Sequence, residues 1–336
     1  MRLKRVPHLT LRTLPWPAIL LGAVVLAWVA LRDWDEAADV DLASYDFTPN
    51  SRGRFFLLQK EGAGDIYLFG TFHSNDPRVL ELPSQVAEAL ALAEVVATES
   101  RRVPFEPDSS STDAVGYALP LDEMRELCVL PAEESASAIL GAPLFDALAR
   151  AVSPPGTLRP FPLDQLDRIR PYCVISYLGM PRSELQRGTL ILDDALLHQA
   201  IEQGKTVVRL ESFRDQYQFT LSMPAQFQAE EVELTLETLA TDRLELTWNA
   251  DIESYLDGEN DNILRWLEPF SDAYRDFLVR EAIVARNRRM AEAILDLSDG
   301  RTIFVATGAG HLPGEEGIVN LLARESYSVT VLEPPP

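Results

Sequence analysis

The sequence predicts an α/β fold, of the α+β kind, built on a central mixed sheet. Short apolar runs bounded by glycine alternate with amphipathic helical patterns along most of the 336 residues. Two of these runs, Ile66–Phe69 and Ile303–Ala306, each lead into a Gly-x-x-His motif. Because 46% of the residues are hydrophobic, the chain can bury the core of one large domain or two modest ones.

The first 32 residues are typical of a signal anchor or signal peptide. A basic tail at 1–15 precedes an apolar stretch at 16–32, and acidic residues follow at once. This order indicates a cytoplasmic N-terminus, with the rest of the chain exported through the inner membrane. Trp28 and Ala30 occupy the positions of a small-residue cleavage site. That favours a single-pass anchor followed by a polar tether at 33–50, with cleavage and release into the periplasm as the alternative.

The net charge limits which binding partners the sequence is compatible with, and the two cysteines bear on a metal site or a disulfide. A net charge of −22 excludes a basic surface for nucleic acid, because no patch could neutralise phosphates. The two cysteines, Cys128 and Cys173, match no zinc-binding spacing. In an exported domain they are either one disulfide or two separate core cysteines.

The exported domain, predicted at 51–334, begins with a hairpin. Phe55–Leu58 and Ile66–Phe69 are apolar runs separated by a loop with two glycines. A helix at Ser84–Ala93 and a strand at Val95–Thr98 follow, and the strand ends in Glu99. The first unit therefore reads strand, Gly-x-x-His, helix, strand, glutamate.

The next part of the chain predicts a largely helical insertion at about 121–180. It follows a stretch rich in Pro, Ser and Asp that is typical of an exposed loop. Its predicted helices are Leu121–Cys128, Ala132–Leu140, Pro143–Val152 and Leu163–Tyr177.

A second α/β segment follows the insertion. A helix at Asp193–Gln203 ends at Gly204, and a strand at Thr206–Leu210 again terminates in a glutamate, Glu211. Open α/β sheets place ligand-binding groups at such strand ends. The later helical patterns are Ala229–Leu246, Ala250–Leu256 and Ser271–Leu297.

Arg286 stands out within the last of these helices. It falls on the stripe of positions three and four residues apart that is otherwise apolar. Because an unpaired buried guanidinium is costly, Arg286 should meet a carboxylate or point into a cavity. It is either a structural ion pair or an oxyanion-binding group of a site.

The C-terminal part echoes the first unit. After His311, a helix at Gly317–Arg324 and a strand at Tyr327–Leu332 lead to Glu333. This echo predicts a duplicated strand-Gly-x-x-His-helix-strand unit. Gly308 and Gly310 permit a tight turn or a positive φ before His311.

Imidazoles and carboxylates at one sheet edge are the ligand set of a catalytic divalent metal such as Mn, Co or Zn. A glutamate that does not bind the metal would act as general base, and Arg286 would stabilise an oxyanion. A metal-free route, with histidine and glutamate acting directly on water, is the alternative. The predicted ligands are His73, His311, Glu99 and Glu211.

Several of these segments together resemble the TraB/GumN family, which includes PrgY-like proteins and is related to Tiki-type metalloproteases. The resemblance runs from about residue 52 to 333. The segments that carry it are LFGTFH at Leu68–His73, ATES at Ala97–Ser100, Leu192–Ser212, WNAD at Trp248–Asp251, ARNRRMAEAI at Ala285–Ile294 and GAGHLPGEEGIVNLL at Gly308–Leu322.

The resemblance implies an active-site set of both Gly-x-x-His histidines, Glu99 and Arg286, with Asn287 beside it as a further catalytic residue. It implies supporting roles for Gly70, Gly308, Gly310 and Asp193. The chain departs from the usual Glu-Arg-Asn pattern at Ala285, and from the frequent G-x-D pattern at Ile191.

The sequence thus predicts an exported, membrane-tethered hydrolase that uses a divalent metal and cleaves a peptide or protein substrate. The alternative is a non-catalytic protein that sequesters a peptide or a metal-bearing ligand in the same cleft. A homo-oligomer is compatible with the sequence.

Overall fold

Six strands of the described chain form a mixed sheet in the order β4-β3-β5-β2-β1-β6. Strand β1 is antiparallel to both of its neighbours, whereas β2, β5, β3 and β4 run parallel. The strands are β1 Phe55–Gln59, β2 Ile66–Thr71, β3 Val95–Thr98, β4 Thr206–Arg209, β5 Ile303–Gly308 and β6 Ser328–Val331. The predicted mixed α/β sheet is confirmed.

The computed structural model describes residues 40, 45–99, 127–153, 163–187, 189–241, 243–260 and 264–332. Over these residues, no helix has the length and apolar character needed to cross a membrane. The basic tail and the anchor expected at 16–32 lie outside the described residues and stay predictions. The same holds for residues 121–126 of the helix expected at Leu121–Cys128.

Helices cover both faces of the sheet. They are α1 Pro77–Leu80, α2 Ser84–Leu92, α3 Ala136–Leu140, α4 Ala142–Ala151, α5 Pro171–Leu178, α6 Arg182–Arg187, α7 Leu192–Glu202, α8 Phe213–Gln216, α9 Gln218–Ser222, α10 Ala225–Ala240, α11 Leu244–Leu256, α12 Asp272–Leu278, α13 Ala285–Ser298 and α14 Ile318–Arg324. Short 3₁₀ turns lie at Leu163–Arg168, Leu264–Leu267 and Ala309–His311.

Alternating strand residues divide the core into two layers. Phe55 and Phe69 point to the face covered by α2 and α7, whereas Phe56 and Leu68 point to the face covered by α13 and α14. Strand β5 is buried on both faces. That burial explains why its sequence is a continuous apolar run rather than an alternating one.

The two Gly-x-x-His units occupy different places in this sheet. Strands β2 and β3 of the first unit flank β5, whereas β6 of the second unit pairs with β1 at the far edge. Helices α2 and α14, which follow the two histidines, consequently cover opposite faces. The two units are therefore alike in their order along the chain but not in their position in the sheet. Glu333 lies outside the described residues.

Several helical predictions had the wrong boundaries. The single helix expected at Leu163–Tyr177 is a 3₁₀ turn at Leu163–Arg168 followed by α5. The segment expected as one helix at Ser271–Leu297 is interrupted by a π-helical turn at Val279–Val284. The expected break near residues 247–249 lies instead between Ala240 and Leu244. The π turn widens the helix just before Arg286, and such turns recur at functional sites.

The described residues of the predicted insertion form a helical layer with its own small core. This layer includes Leu148, Leu166 and Val174, and helix α10 packs on it through Val232. Cys128 and Cys173 form a disulfide within it, with their Cα atoms 5.8 Å apart. Of the two arrangements compatible with the sequence, the structure has the disulfide.

Candidate active site

The carboxyl ends of the four parallel strands carry the predicted site residues to one edge of the sheet. Parallel pairing sets Thr98 of β3 beside Ala306 of β5 and Arg209 of β4. The backbone N–H groups of the two strand-end glutamates extend this pairing, because Glu99 donates to Ala306 and Glu211 donates to Glu99. The sheet thus brings the glutamates together at its carboxyl edge.

Arg286 lies between these two carboxylates. Its Nε donates to both oxygens of Glu211 at 3.0 and 3.2 Å, and its Nη2 contacts both Glu99 and Glu211. All three side chains are at least 92% buried. Arg286, whose burial the helix pattern predicted, is therefore paired with two carboxylates. Together the three side chains carry one net negative charge when both glutamates are ionised.

Glu99 accepts further hydrogen bonds on both oxygens. The backbone N–H of Gly308 donates to Oε2 at 2.9 Å, and Gln216 Nε2 donates to Oε1 at 3.1 Å. Thr307 Oγ1 lies 3.4 Å from Oε2. These donors fix the orientation of the carboxylate at the strand end.

The pKa of Glu99 lies well below its usual range. Burial is the largest single influence and by itself would raise it, but the charges of Arg286, His311 and His73 and the N–H of Gly308 together outweigh burial. Glu99 is therefore ionised at neutral pH.

The pKa of Glu211 shifts the other way. Burial raises it, and the negative charge of Glu99 adds to the effect, while Arg286 opposes both. The two carboxylates around one cation therefore titrate at different pH values.

His311 is held by a carboxamide. Its Nδ1 lies 2.6 Å from Asn287 Oδ1, and Asn287 Nδ2 donates to the backbone carbonyl of Glu316 at 2.8 Å. Since the amide nitrogen is used on that carbonyl, Oδ1 faces the ring as an acceptor and Nδ1 carries the proton. Nε2 is then the lone-pair nitrogen, and it lies 3.9 Å from Glu99 Oε1.

The pKa of His311 is lowered to about 3. Burial is the main cause, the charges of Arg286 and His73 add to it, and Glu99 opposes it. The ring is therefore neutral at physiological pH, which is the form that binds a metal or accepts a proton.

His73 is held in a parallel way. Its Nδ1 lies 2.9 Å from Asp193 Oδ2, and Thr71 Oγ1 donates to Asp193 Oδ1 at 2.6 Å. Burial would raise the pKa of Asp193, but His73 and the hydrogen bonds of His73 and Thr71 lower it. The ionised carboxylate thus accepts a hydrogen bond from Nδ1–H, so Nε2 is the ring nitrogen that can offer a lone pair to a ligand.

His73 lies at the opening of the site, whereas His311 lies at its base. The side chain of His73 is 47% exposed, and that of His311 is 8% exposed. His73 lines a cleft together with Glu99, Asp193 and Gln216. Glu99 thus shares the cleft with the exposed His73 and lies 3.9 Å from Nε2 of the buried His311.

Two glycines permit the close packing of this edge. A Cβ at Gly70 would lie 2.5 Å from Leu312 Cδ1 and 3.1 Å from Ala309 Cα, so β2 and the His311 turn could not approach as they do. A Cβ at Gly308 would lie 3.3 Å from Glu99 Oε2. Gly308 has φ −52°, so its role here is close approach rather than a positive φ, and Gly310 lies within the 3₁₀ turn.

Sequence reasoning missed some polar groups of the site. Gln216, which contacts Glu99, belongs to a four-residue helix that no apolar period marks. Glu316 contributes to the site through its backbone carbonyl, which leaves no side-chain signal. Thr71 could have been found, because it directly follows Gly70 at a strand end.

The side chains of this site are of the chemical types that bind a divalent metal, but their present spacing fits a bound ion less well. Two imidazoles, each with Nδ1 held from outside, and an ionised carboxylate are a common ligand set. Among the described residues, however, no group of three His, Cys, Asp or Glu side chains is placed to hold one ion. Arg286 occupies both oxygens of Glu211 but only Oε1 of Glu99, so the candidate ligands that remain are His73, His311 and Glu99.

Comparison with known proteins identifies relatives of the chain. The sequence model of the TraB/PrgY/gumN family matches residues 55–331. A protein of Amphimedon queenslandica described as a metalloprotease TIKI homolog is 27% identical over 330 residues, which cover 86% of this chain and 64% of that protein. The chain thus spans less than two thirds of that relative. No solved structure matches the chain.

Proposed function

This chain belongs to the TraB/PrgY/gumN family, and from that premise we propose that it is a metal-dependent hydrolase of peptide bonds. The relative described as a metalloprotease homolog supports the reaction class. The position of histidines and an ionised glutamate at one sheet edge supports the chemistry.

One observation carries the proposal. Both imidazoles have Nδ1 tied to a partner outside the site, Asp193 for His73 and Asn287 for His311. Each ring is therefore oriented with Nε2 as its acceptor. His311 Nε2 lies 3.9 Å from Glu99 Oε1, and His73 lines the same cleft as Glu99.

We assign the ligand roles to Nε2 of His73, Nε2 of His311 and the carboxylate of Glu99. A bound divalent ion would polarise a substrate carbonyl and lower the pKa of a water molecule. Arg286 keeps Glu99 ionised and so suited to a cation rather than to donating a proton. Glu211 holds Arg286 in place from its other side.

The roles of the outer residues follow from their contacts. Asp193 and Asn287 orient the histidines, so Asn287 acts as a positioning residue in this proposal. Outer partners of this kind tune metal affinity by about 10-fold to 100-fold.

We place the activity outside the cytoplasm, with the domain tethered to the inner membrane by residues 16–32. The disulfide between Cys128 and Cys173 supports an oxidising compartment. The substrate in this proposal is a peptide or protein segment reached from the exported side.

The test combines metal binding with turnover. Full-length protein would be analysed for metal content, titrated with Mn²⁺, Co²⁺ and Zn²⁺, and assayed on a peptide library beside His73→Ala and His311→Ala. His198→Ala is the matched control, because His198 is an exposed histidine paired with Glu202 on α7. We expect both site variants to lose metal affinity and cleavage, and the control to keep them.

Two results would reject the proposal. If His311→Ala had the same metal affinity as the wild type, His311 would not be a metal ligand. Metal or peptide binding at this site without cleavage under any of the three ions would instead favour the sequestering protein.

A further inference from the structure

Residues 45–50, which the sequence analysis assigned to the tether, pack against the loop that follows His311. We call residues 45–50 the N-terminal strap and residues 312–316 the His311 loop. Three hydrogen bonds join them, from Gly314 N to Pro49 O at 2.7 Å, from Glu315 N to Asp46 O at 3.0 Å and from Glu316 N to Tyr45 Oη at 3.2 Å. The strap thus meets three successive backbone N–H groups of the loop.

Glu316 connects the strap to the site. Its N–H donates to Tyr45, whereas its carbonyl accepts the Asn287 amide that holds His311. Its carboxylate accepts from Arg288 Nε at 2.8 Å and Arg324 Nη1 at 2.9 Å. Every polar group of Glu316 therefore takes part in a hydrogen bond. A movement of the Glu316 backbone would displace the carbonyl that holds the Asn287 side chain.

The His311 loop is shaped to receive the strap. Gly314 has φ +96°, a conformation that favours glycine. A Cβ at Gly314 would lie 3.0 Å from Tyr45 Oη and 3.3 Å from Asp46 O. Within the strap, the ring of Tyr45 packs edge-on against Phe47 with 4.5 Å between centroids. The contact therefore depends on close backbone approach as well as on hydrogen bonds.

We propose that the N-terminal strap positions His311, with Tyr45 as the positioning residue that acts through Glu316 and Asn287. The segment that joins the domain to its predicted anchor is then part of the support of the site. Any effect on hydrolysis rests on the function proposed above, whereas the effect on the His311 ring does not.

The test measures the His311 ring directly in full-length ¹⁵N-labelled protein. With four histidines in the chain, long-range ¹H–¹⁵N spectra can be assigned by His→Ala variants. Tyr45→Phe keeps the ring and removes the acceptor of the Glu316 N–H. Tyr67→Phe is the matched control, because Tyr67 lies on β2 with its ring stacked on Phe55.

We expect Tyr45→Phe to shift or broaden the His311 ring signals, to leave those of His73 and His198 in place, and to weaken metal affinity by about 10-fold. Tyr67→Phe should move none of these signals. Unchanged His311 signals in both Tyr45→Phe and Tyr45→Ala would overturn the proposal. Shifted His311 signals in a protein that hydrolyses nothing would uphold the strap and reject the hydrolase.

Discussion

The carboxamide of Asn287 and the imidazole of His311 form a 2.6 Å hydrogen bond that decides which ring nitrogen carries the proton. Asn287 is fully buried, and its amide nitrogen is committed to the carbonyl of Glu316. The ring therefore donates through Nδ1 and keeps its lone pair on Nε2, toward Glu99. The function proposed for His311 depends on this orientation.

Asn287→Ala should weaken metal binding by about 10-fold to 100-fold, because the His311 tautomer is no longer set. It should also lower the free energy of unfolding by about 1–3 kcal/mol, since the buried carbonyl of Glu316 loses its donor. Calorimetric metal titration and urea unfolding would measure the two effects. Asn249→Ala, on a surface helix, is the control, and wild-type metal affinity in Asn287→Ala would contradict the assignment.

Arg286→Met should lower the free energy of unfolding at pH 7 by about 3–5 kcal/mol. The loss arises because two buried carboxylates remain without their cation. Adding Glu211→Gln to this variant should restore part of the stability, since one of the buried charges is removed. Urea unfolding of the single and double variants measures this, and additive losses would show that the carboxylates are not coupled through Arg286.

Gly70→Ala should destabilise the fold by about 1–3 kcal/mol, because the new methyl group would overlap Leu312 and press on Ala309. Gly308→Ala should cost less, since its nearest neighbour would be a carboxylate oxygen of Glu99 at 3.3 Å. Thermal unfolding of both variants tests this order. Equal stability of Gly70→Ala and the wild type would mean that β2 and the His311 turn are less tightly packed than the structure has them.

Glu231 should make stability depend on pH. Burial raises the pKa of this carboxyl to about 7, partly opposed by the hydrogen bond from Tyr274, so the folded protein keeps a proton that the unfolded chain releases near pH 4.5. Stability from this group is full below that pH and is lost as pH rises through about 7, by about 3 kcal/mol at most.

Glu231→Gln cannot ionise and should lack this loss. Its stability relative to the wild type should therefore increase between pH 4.5 and pH 7.5, as measured by urea unfolding at several pH values. Glu237→Gln, exposed on the same helix, is the control. A pH-independent difference between Glu231→Gln and the wild type would refute the assignment.

Local patterns in the sequence predicted much of the fold. The apolar runs became strands β1 to β6, because hydrophobic periodicity and glycine breaks act over a few residues. Burial of Arg286 also followed from its place on an apolar stripe. The π turn before it was not predictable, since a one-residue widening leaves the apolar period nearly unchanged.

Sequence alone determined that histidines and glutamates would end the strands of an α/β sheet, since each motif is contained within a few neighbouring residues. Only the tertiary structure decided their partners. Asp193 meets His73 across 120 positions, and Arg286 meets Glu99 across 187. Hydrogen bonds and ion pairs act over a few ångströms, so sheet order and helix packing decide which distant residues come within reach.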